Sequence, residues 1–145
     1  MKYLVFSFIS LTASCQSQTK CSCLEDYKHN DGVLGTQLSI EEKKDGTYLT
    51  FHCASAMRIY FNNEEGLEIE KTELDCISSE KITLKLINDF EYFQFTENPE
   101  LNQKEIQQIF LNKIKSDSNQ FYDFTLNDKK EIIGVYDFYM PQSEN

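Results

Sequence analysis

The sequence predicts an α+β fold: an antiparallel sheet of about seven or eight strands with one covering helix, at about 103–115, placed before a C-terminal hairpin. Three observations predict it. Apolar and polar residues alternate at period two over much of the chain from Val33 to Phe95, and turn-forming pairs such as Asp45-Gly46 punctuate that alternation. A single segment then switches to helical spacing behind a well-marked start at Asn102.

The first hairpin is the clearest. Leu34, Leu38 and Ile40 fall on one face, with Gly35, Gln37, Ser39 and Glu41 on the other. Asp45-Gly46 turns the chain, and Leu49, Phe51 and Cys53 resume the apolar face. Met57, Ile59 and Phe61 continue at period two until Asn62-Asn63-Glu64-Glu65-Gly66 interrupts them, after which Leu67 and Ile69 form a short strand. A second hairpin is expected from Ile82, Leu84 and Leu86, a turn at Asn88-Asp89 and a return over Phe90 to Phe95, whose aromatics on both faces imply burial on both sides.

The helix follows Pro99. Asn102 is placed to cap it, Glu105 completes a capping box, and Leu101 and Ile106 occupy the positions of a hydrophobic staple. Ile106, Ile109, Phe110 and Ile114 form its apolar stripe, and Lys113 and Lys115 suit the negative end of the helix dipole. The last hairpin pairs Tyr122, Phe124 and Leu126 with Ile132, Tyr136 and Phe138 across the loop Asn127 to Lys130. A lipocalin-like barrel is the competing architecture; it ordinarily ends in a helix after its last barrel strand, whereas two strands follow the helix here.

The chain starts differently. Met1 and Lys2 precede an apolar run from Tyr3 to Leu11, and small residues then lead to Cys15. A positive end, an apolar stretch too short to span a bilayer and a small-residue cleavage site predict a secretory signal peptide over residues 1–14. Leu11-Thr12-Ala13-Ser14-Cys15 resembles the lipobox of bacterial lipoproteins. The resemblance implies that Cys15 takes a diacylglycerol and becomes the first residue after cleavage. It also implies a protein held to a membrane of the bacterial cell envelope by its lipid anchor, with the outer membrane facing the periplasm as the expected site. Residues 15–20 then read as a lipidated tether, polar and without periodicity, and residues 21–145 as a single α+β domain.

Charge narrows the partners. The formal net charge is −10, and Lys2 leaves with the leader, so the remainder is more acidic still. Such a surface repels phosphate backbones and anionic headgroups, which argues against nucleic acid and against electrostatic membrane adhesion. A charged partner should be a basic protein. The densest acidic stretch is Glu64, Glu65, Glu68, Glu70, Glu73 and Asp75, read either as a partner-binding surface or as a solvated strand edge whose charges discourage edge-to-edge pairing. Neither Asn62 to Gly66 nor Asn30-Asp31-Gly32 has the oxygen-ligand order of a calcium loop.

Five cysteines make an odd count that lipidation of Cys15 resolves, leaving Cys21, Cys23, Cys53 and Cys76. A Cys21 to Cys23 ring is too tight, so the two are expected to bond to Cys53 and Cys76, in an order the sequence leaves open. An oxidising compartment favours these disulfides over a metal site built from the cysteines with His29 and His52. His52 and Cys53 are strand neighbours pointing to opposite faces, which excludes a thiol and its base. No hydrolase triad in a recognisable context, glycine-rich phosphate loop or glycosidase-like acid pair is present, so no catalytic residue, metal or cofactor is assigned. The aromatics Phe90, Tyr92, Phe93, Phe95, Phe121, Tyr122, Phe124, Tyr136, Phe138 and Tyr139 read first as core and second as a ligand pocket. The functional expectation is a non-catalytic envelope protein that binds another protein, as an immunity or inhibitor lipoprotein or an outer-membrane accessory subunit. A carrier of a small hydrophobic ligand and a metal-handling protein are the alternatives.

Overall fold

The computed structural model describes residues 21–94 and 100–140. In chain order they form α1 (Cys23–His29), β1 (Gly32–Lys43), β2 (Gly46–Asn62), β3 (Glu68–Phe93), α2 (Gln103–Ser116), β4 (Phe121–Leu126) and β5 (Ile132–Phe138). The strands close into one barrel in the order β1-β2-β3-β5-β4, with β4 returning to β1. Four of the pairings are antiparallel and that of β3 with β5 is parallel.

This corrects the expected antiparallel sheet of seven or eight strands with one helix. The sheet is mixed, has five strands, and is accompanied by two helices. The count fell because segments that read as separate strands are continuous. β2 carries both Leu49 to Cys53 and Met57 to Phe61, and β3 runs for 26 residues through Ile69, Ile82 and Phe90. The expected turn at Asn88-Asp89 does not form. Pairing to β5 lapses between Leu86 and Glu91, and α2 fills the gap: Gln107 Nε2 donates to the carbonyls of Asn88 (3.1 Å) and Phe90 (2.7 Å), and Gln103 Nε2 to that of Phe90 (2.9 Å). The carbonyls that a hairpin would have paired are thus satisfied by side chains. Parallel pairing follows because the chain reaches β5 through a helix and another strand rather than a tight turn.

Bulges account for two further differences. β1 shifts register between Thr36 and Ser39, with Gln37 at φ 55°, so Val33 and Gly35 face inward ahead of the shift and Leu38 after it. Gly35 lies so close to the Phe51 and Phe124 rings that a Cβ would sit 2.5 Å and 2.8 Å from their carbons, so only glycine fits there. The second shift, at Thr125/Leu126 opposite Ile132 and Gly134, turns Val135 inward and Tyr136 outward, where Tyr136 stacks on Phe93 at 4.4 Å.

Inside the barrel the aromatics pack on each other. Phe51 meets Phe124 at 4.9 Å between centroids, and Phe110 of α2 meets Tyr92 at 5.1 Å and Tyr122 at 5.2 Å. The helix that delivers Phe110 starts where the capping signals place it: the Asn102 side chain accepts from the backbone N–H groups of Lys104 and Glu105, and the Asn102 N–H donates to Glu105 Oε2 at 2.8 Å. α1, which the sequence reading omitted, has no side-chain cap and is held by two disulfides, Cys21–Cys76 and Cys23–Cys53.

Candidate functional site

β2 and β3 are longer than the barrel needs. β1 pairs with β2 only as far as Leu34 opposite Ala54, and β5 pairs with β3 only at Leu86 and from Glu91 to Phe93. Between those limits β2 and β3 pair with each other from Ala56 opposite Leu74 to Asn62 opposite Glu68, forming a two-stranded arm beyond the barrel. A register shift at Ser55/Ala56, with Asp75 as the extra residue on β3, marks where the arm begins.

The tip is organised by one side chain. Asn63 Oδ1 accepts from the backbone N–H groups of Glu65 (3.0 Å) and Leu67 (2.8 Å), while Gly66 takes φ +79° and donates its N–H to the Asn63 carbonyl. The sequence pattern marks 62–66 as an interruption of the alternation and as no calcium loop, without indicating its conformation. Asn63 three residues before a glycine was the signal that a closed turn forms there.

Partner residues across the ladder share a face, so the arm's two faces can be read off its register. One face carries Met57, Ile59 and Phe61 with Ile69, Lys71 and Glu73; the other carries Arg58, Tyr60 and Asn62 with Glu68, Glu70 and Thr72. Large apolar side chains stand in solvent on both: Leu67 is 60% exposed, Tyr60 56% and Met57 50%. An isolated two-stranded ribbon buries little of such surface.

All six acidic residues singled out from the sequence lie on this arm. Glu64 and Glu65 sit at the tip, Glu68 and Glu70 on the Tyr60 face, Glu73 on the Met57 face and Asp75 at the bulge. Glu70 pairs with Arg58 at 3.4 Å and Glu73 with Lys71 at 2.8 Å. Glu64, Glu65, Glu68 and Asp75 have no ion pair among the described residues.

The four cysteines gather at the foot of the arm. Cys76 lies opposite Ser55 and Cys53 opposite Gly35, so the two disulfides fasten the segment from Cys21 to β3 and β2 where the arm leaves the barrel. The Cys21 and Cys23 sulfurs are 3.4 Å apart, placing the two bridges in contact. Every one of these sulfurs is bonded to another, so none is a thiolate ligand or nucleophile. His52, on the opposite side of β2 from buried Cys53, donates from Nδ1 to the Ser78 carbonyl at 2.7 Å. Cys15 and Phe95 lie outside the described residues.

The chain matches no known protein family, curated protein or solved structure. Its chemistry is therefore read from its own side chains.

A partly buried polar cluster joins α2 to strands β3 and β5 of the barrel. Tyr92 donates its hydroxyl hydrogen to Asp137 Oδ1 at 2.6 Å, and Lys113 Nζ donates to Asp137 Oδ2 at 2.9 Å and to the Tyr92 oxygen at 2.6 Å. Burial, reinforced by Asp137, pushes the Tyr92 hydroxyl far above the usual phenol range, and burial does the same to Tyr122 with help from Asp137 and Asp117. Both hydroxyls stay protonated near neutral pH; Tyr92 donates within a structural network, while the Tyr122 hydroxyl has no hydrogen-bond partner among the described residues, and neither arrangement suits proton transfer. A cleft of about 270 Å³ between β3 and α2 is lined by Ile87, Phe90, Gln107 and Leu111 among others, with Gln107 already engaged by β3. Among the described residues, the arm carries the largest group of exposed apolar side chains beside carboxylates without an ion pair; Phe93 and Tyr136 with Glu91 and Asp123 form a smaller patch of the same kind.

Proposed function

We propose that the chain is a non-catalytic, lipid-anchored protein of the bacterial cell envelope that binds a basic protein partner through the β2–β3 arm. The observation that carries the reading is the arm itself, a projection with six carboxylates against Arg58 and Lys71 and with Met57, Tyr60, Phe61 and Leu67 in solvent. Exposed apolar groups rimmed by one sign of charge suit a protein surface of the opposite sign, because complementary charge steers encounter while apolar contact holds the complex. The leader and Cys15 support the anchor, and disulfides at Cys21–Cys76 and Cys23–Cys53 fit an oxidising compartment. An immunity or inhibitor lipoprotein that neutralises a basic toxin or enzyme is the concrete form; an accessory subunit of an outer-membrane assembly would use the same surface.

The test separates anchor from surface. Cys15→Ala should move the protein from the membrane to the soluble fraction, and an unmodified Cys15 in the native N-terminal peptide overturns the anchor. With a basic protein captured from envelope extract, the Glu→Gln quadruple variant at 64, 65, 68 and 70 should associate more slowly at low salt, with stability changed by less than about 0.5 kcal/mol. Unchanged on-rates across a salt series remove the arm from the binding surface.

A further inference from the structure

The two outer edges of the arm are not alike. β3 from Glu68 to Asp75 reads Glu-Ile-Glu-Lys-Thr-Glu-Leu-Asp, with five charges in eight residues. β2 from Ser55 to Asn62 reads Ser-Ala-Met-Arg-Ile-Tyr-Phe-Asn, with one. Charge along an edge strand is a common device against unwanted pairing, since a neighbouring strand would have to desolvate it. By that measure β3 is guarded and β2 is open. Among the described residues Ser55 to Asn62 pair only with β3, so the other side of the strand presents a row of unpaired backbone N–H and C=O groups.

We propose that the outer edge of β2, Ser55 to Asn62, accepts an extended strand from a basic partner protein, which adds to the arm as a third strand. The proposal rests on the arm-binding reading above and specifies how the partner engages. Backbone hydrogen bonds would supply affinity, and alternate side chains specificity. Because side chains alternate, one set of partner residues would lie beside Met57, Ile59 and Phe61 and be apolar. The other set would lie on the face of Arg58, Tyr60, Glu68 and Glu70, where Glu70 already offsets Arg58 at 3.4 Å and a lysine or arginine placed toward the tip meets the exposed Tyr60 ring and Glu68. Two strand spacings separate the incoming strand from β3, about 10 Å, which is within reach of a long basic side chain and of unscreened charge. A second copy of this chain is the less favoured occupant, because each copy carries −10.

The probe is an acetylated eight-residue peptide alternating valine and lysine, with a control of the same charge interrupted by two prolines. Both are added to the oxidised full-length protein, and amide exchange is read residue by residue. The alternating peptide should slow exchange at least ten-fold at every second amide between Ser55 and Asn62, those pointing away from β3, and the proline control should not. Equal shifts of the Glu64, Glu68 and Glu70 resonances by both peptides, without protection along β2, overturn strand addition while leaving the acidic arm as a binding surface. No response of the arm to either peptide overturns both readings. Protection of the same amides without peptide, rising with protein concentration, overturns the proposal in favour of self-pairing.

Discussion

At the scale of single residues, two positions concentrate the constraints on the barrel. Gly35 is inward-facing only because the bulge at Gln37 reverses the phase of β1, and its hydrogen is the only substituent that the Phe51 and Phe124 rings leave room for. Gly35→Ala should destabilise the protein by about 1–3 kcal/mol in urea unfolding, because both rings are themselves fully buried and have nowhere to retreat. Nothing in the local sequence indicated this, since strict alternation placed Gly35 outward. Tyr122 is the other. Its hydroxyl is buried without a hydrogen-bond partner among the described residues, and its folded pKa lies above the unfolded value of 10.0. Below pH 10 both states keep the proton and its stabilisation is fully present. As pH rises beyond that value only the unfolded chain releases it, so stability falls toward the folded pKa at up to about 1.4 kcal/mol per pH unit for this group. Tyr122→Phe should reduce the alkaline slope, leaving the share due to Tyr92, without loss of stability at neutral pH, because it removes a polar atom that has no partner to lose.

At the scale of elements, legibility followed the strength of the local signal. α2 was readable because Asn102, Glu105 and the stripe through Phe110 and Ile114 agree with one another. α1 was not, because seven residues hold too few turns for periodicity to register and its start lacks a side-chain cap. Its one local signature was charge order, Glu25 and Asp26 in the first turn and Lys28 and His29 in the last. So short a helix is not stable alone, and its order must come from the disulfides and from burial of Leu24. Replacing Cys23 and Cys53 together by serine should cost about 3–4 kcal/mol and strip amide protection from α1, while amides of Leu49 and Leu84 stay protected. The six acidic residues stand out as the densest acidic stretch of the sequence, but the projection of that stretch on an arm depends on β1 and β5 stopping short of it, which no local pattern in β2 or β3 encodes.

At the scale of the whole molecule, the reading of a single layered sheet failed for a reason of range. Period-two alternation reports which residues share a face; it carries no information on whether a strand continues through a bulge or on which strand lies beside it. Closure depends on Gly32 to Gly35 meeting Tyr122 to Thr125, partners some ninety residues apart, and the parallel contact of β3 with β5 depends on Gln103 and Gln107 sealing the gap between. The bridge from Cys21 to Cys76 also has a mechanical meaning. A load applied through the chain ahead of Cys21 passes at once into β3 at the foot of the arm, so α1, β1 and β2 lie off the line of force. Stretched between that end and β5, the oxidised protein should extend short of the reduced one by the 55 residues the bridge spans, about 190 Å of contour, in single-molecule pulling. A domain tugged by its N-terminal end would then yield through its C-terminal half first, with the projecting arm and its open edge the last part to lose their shape.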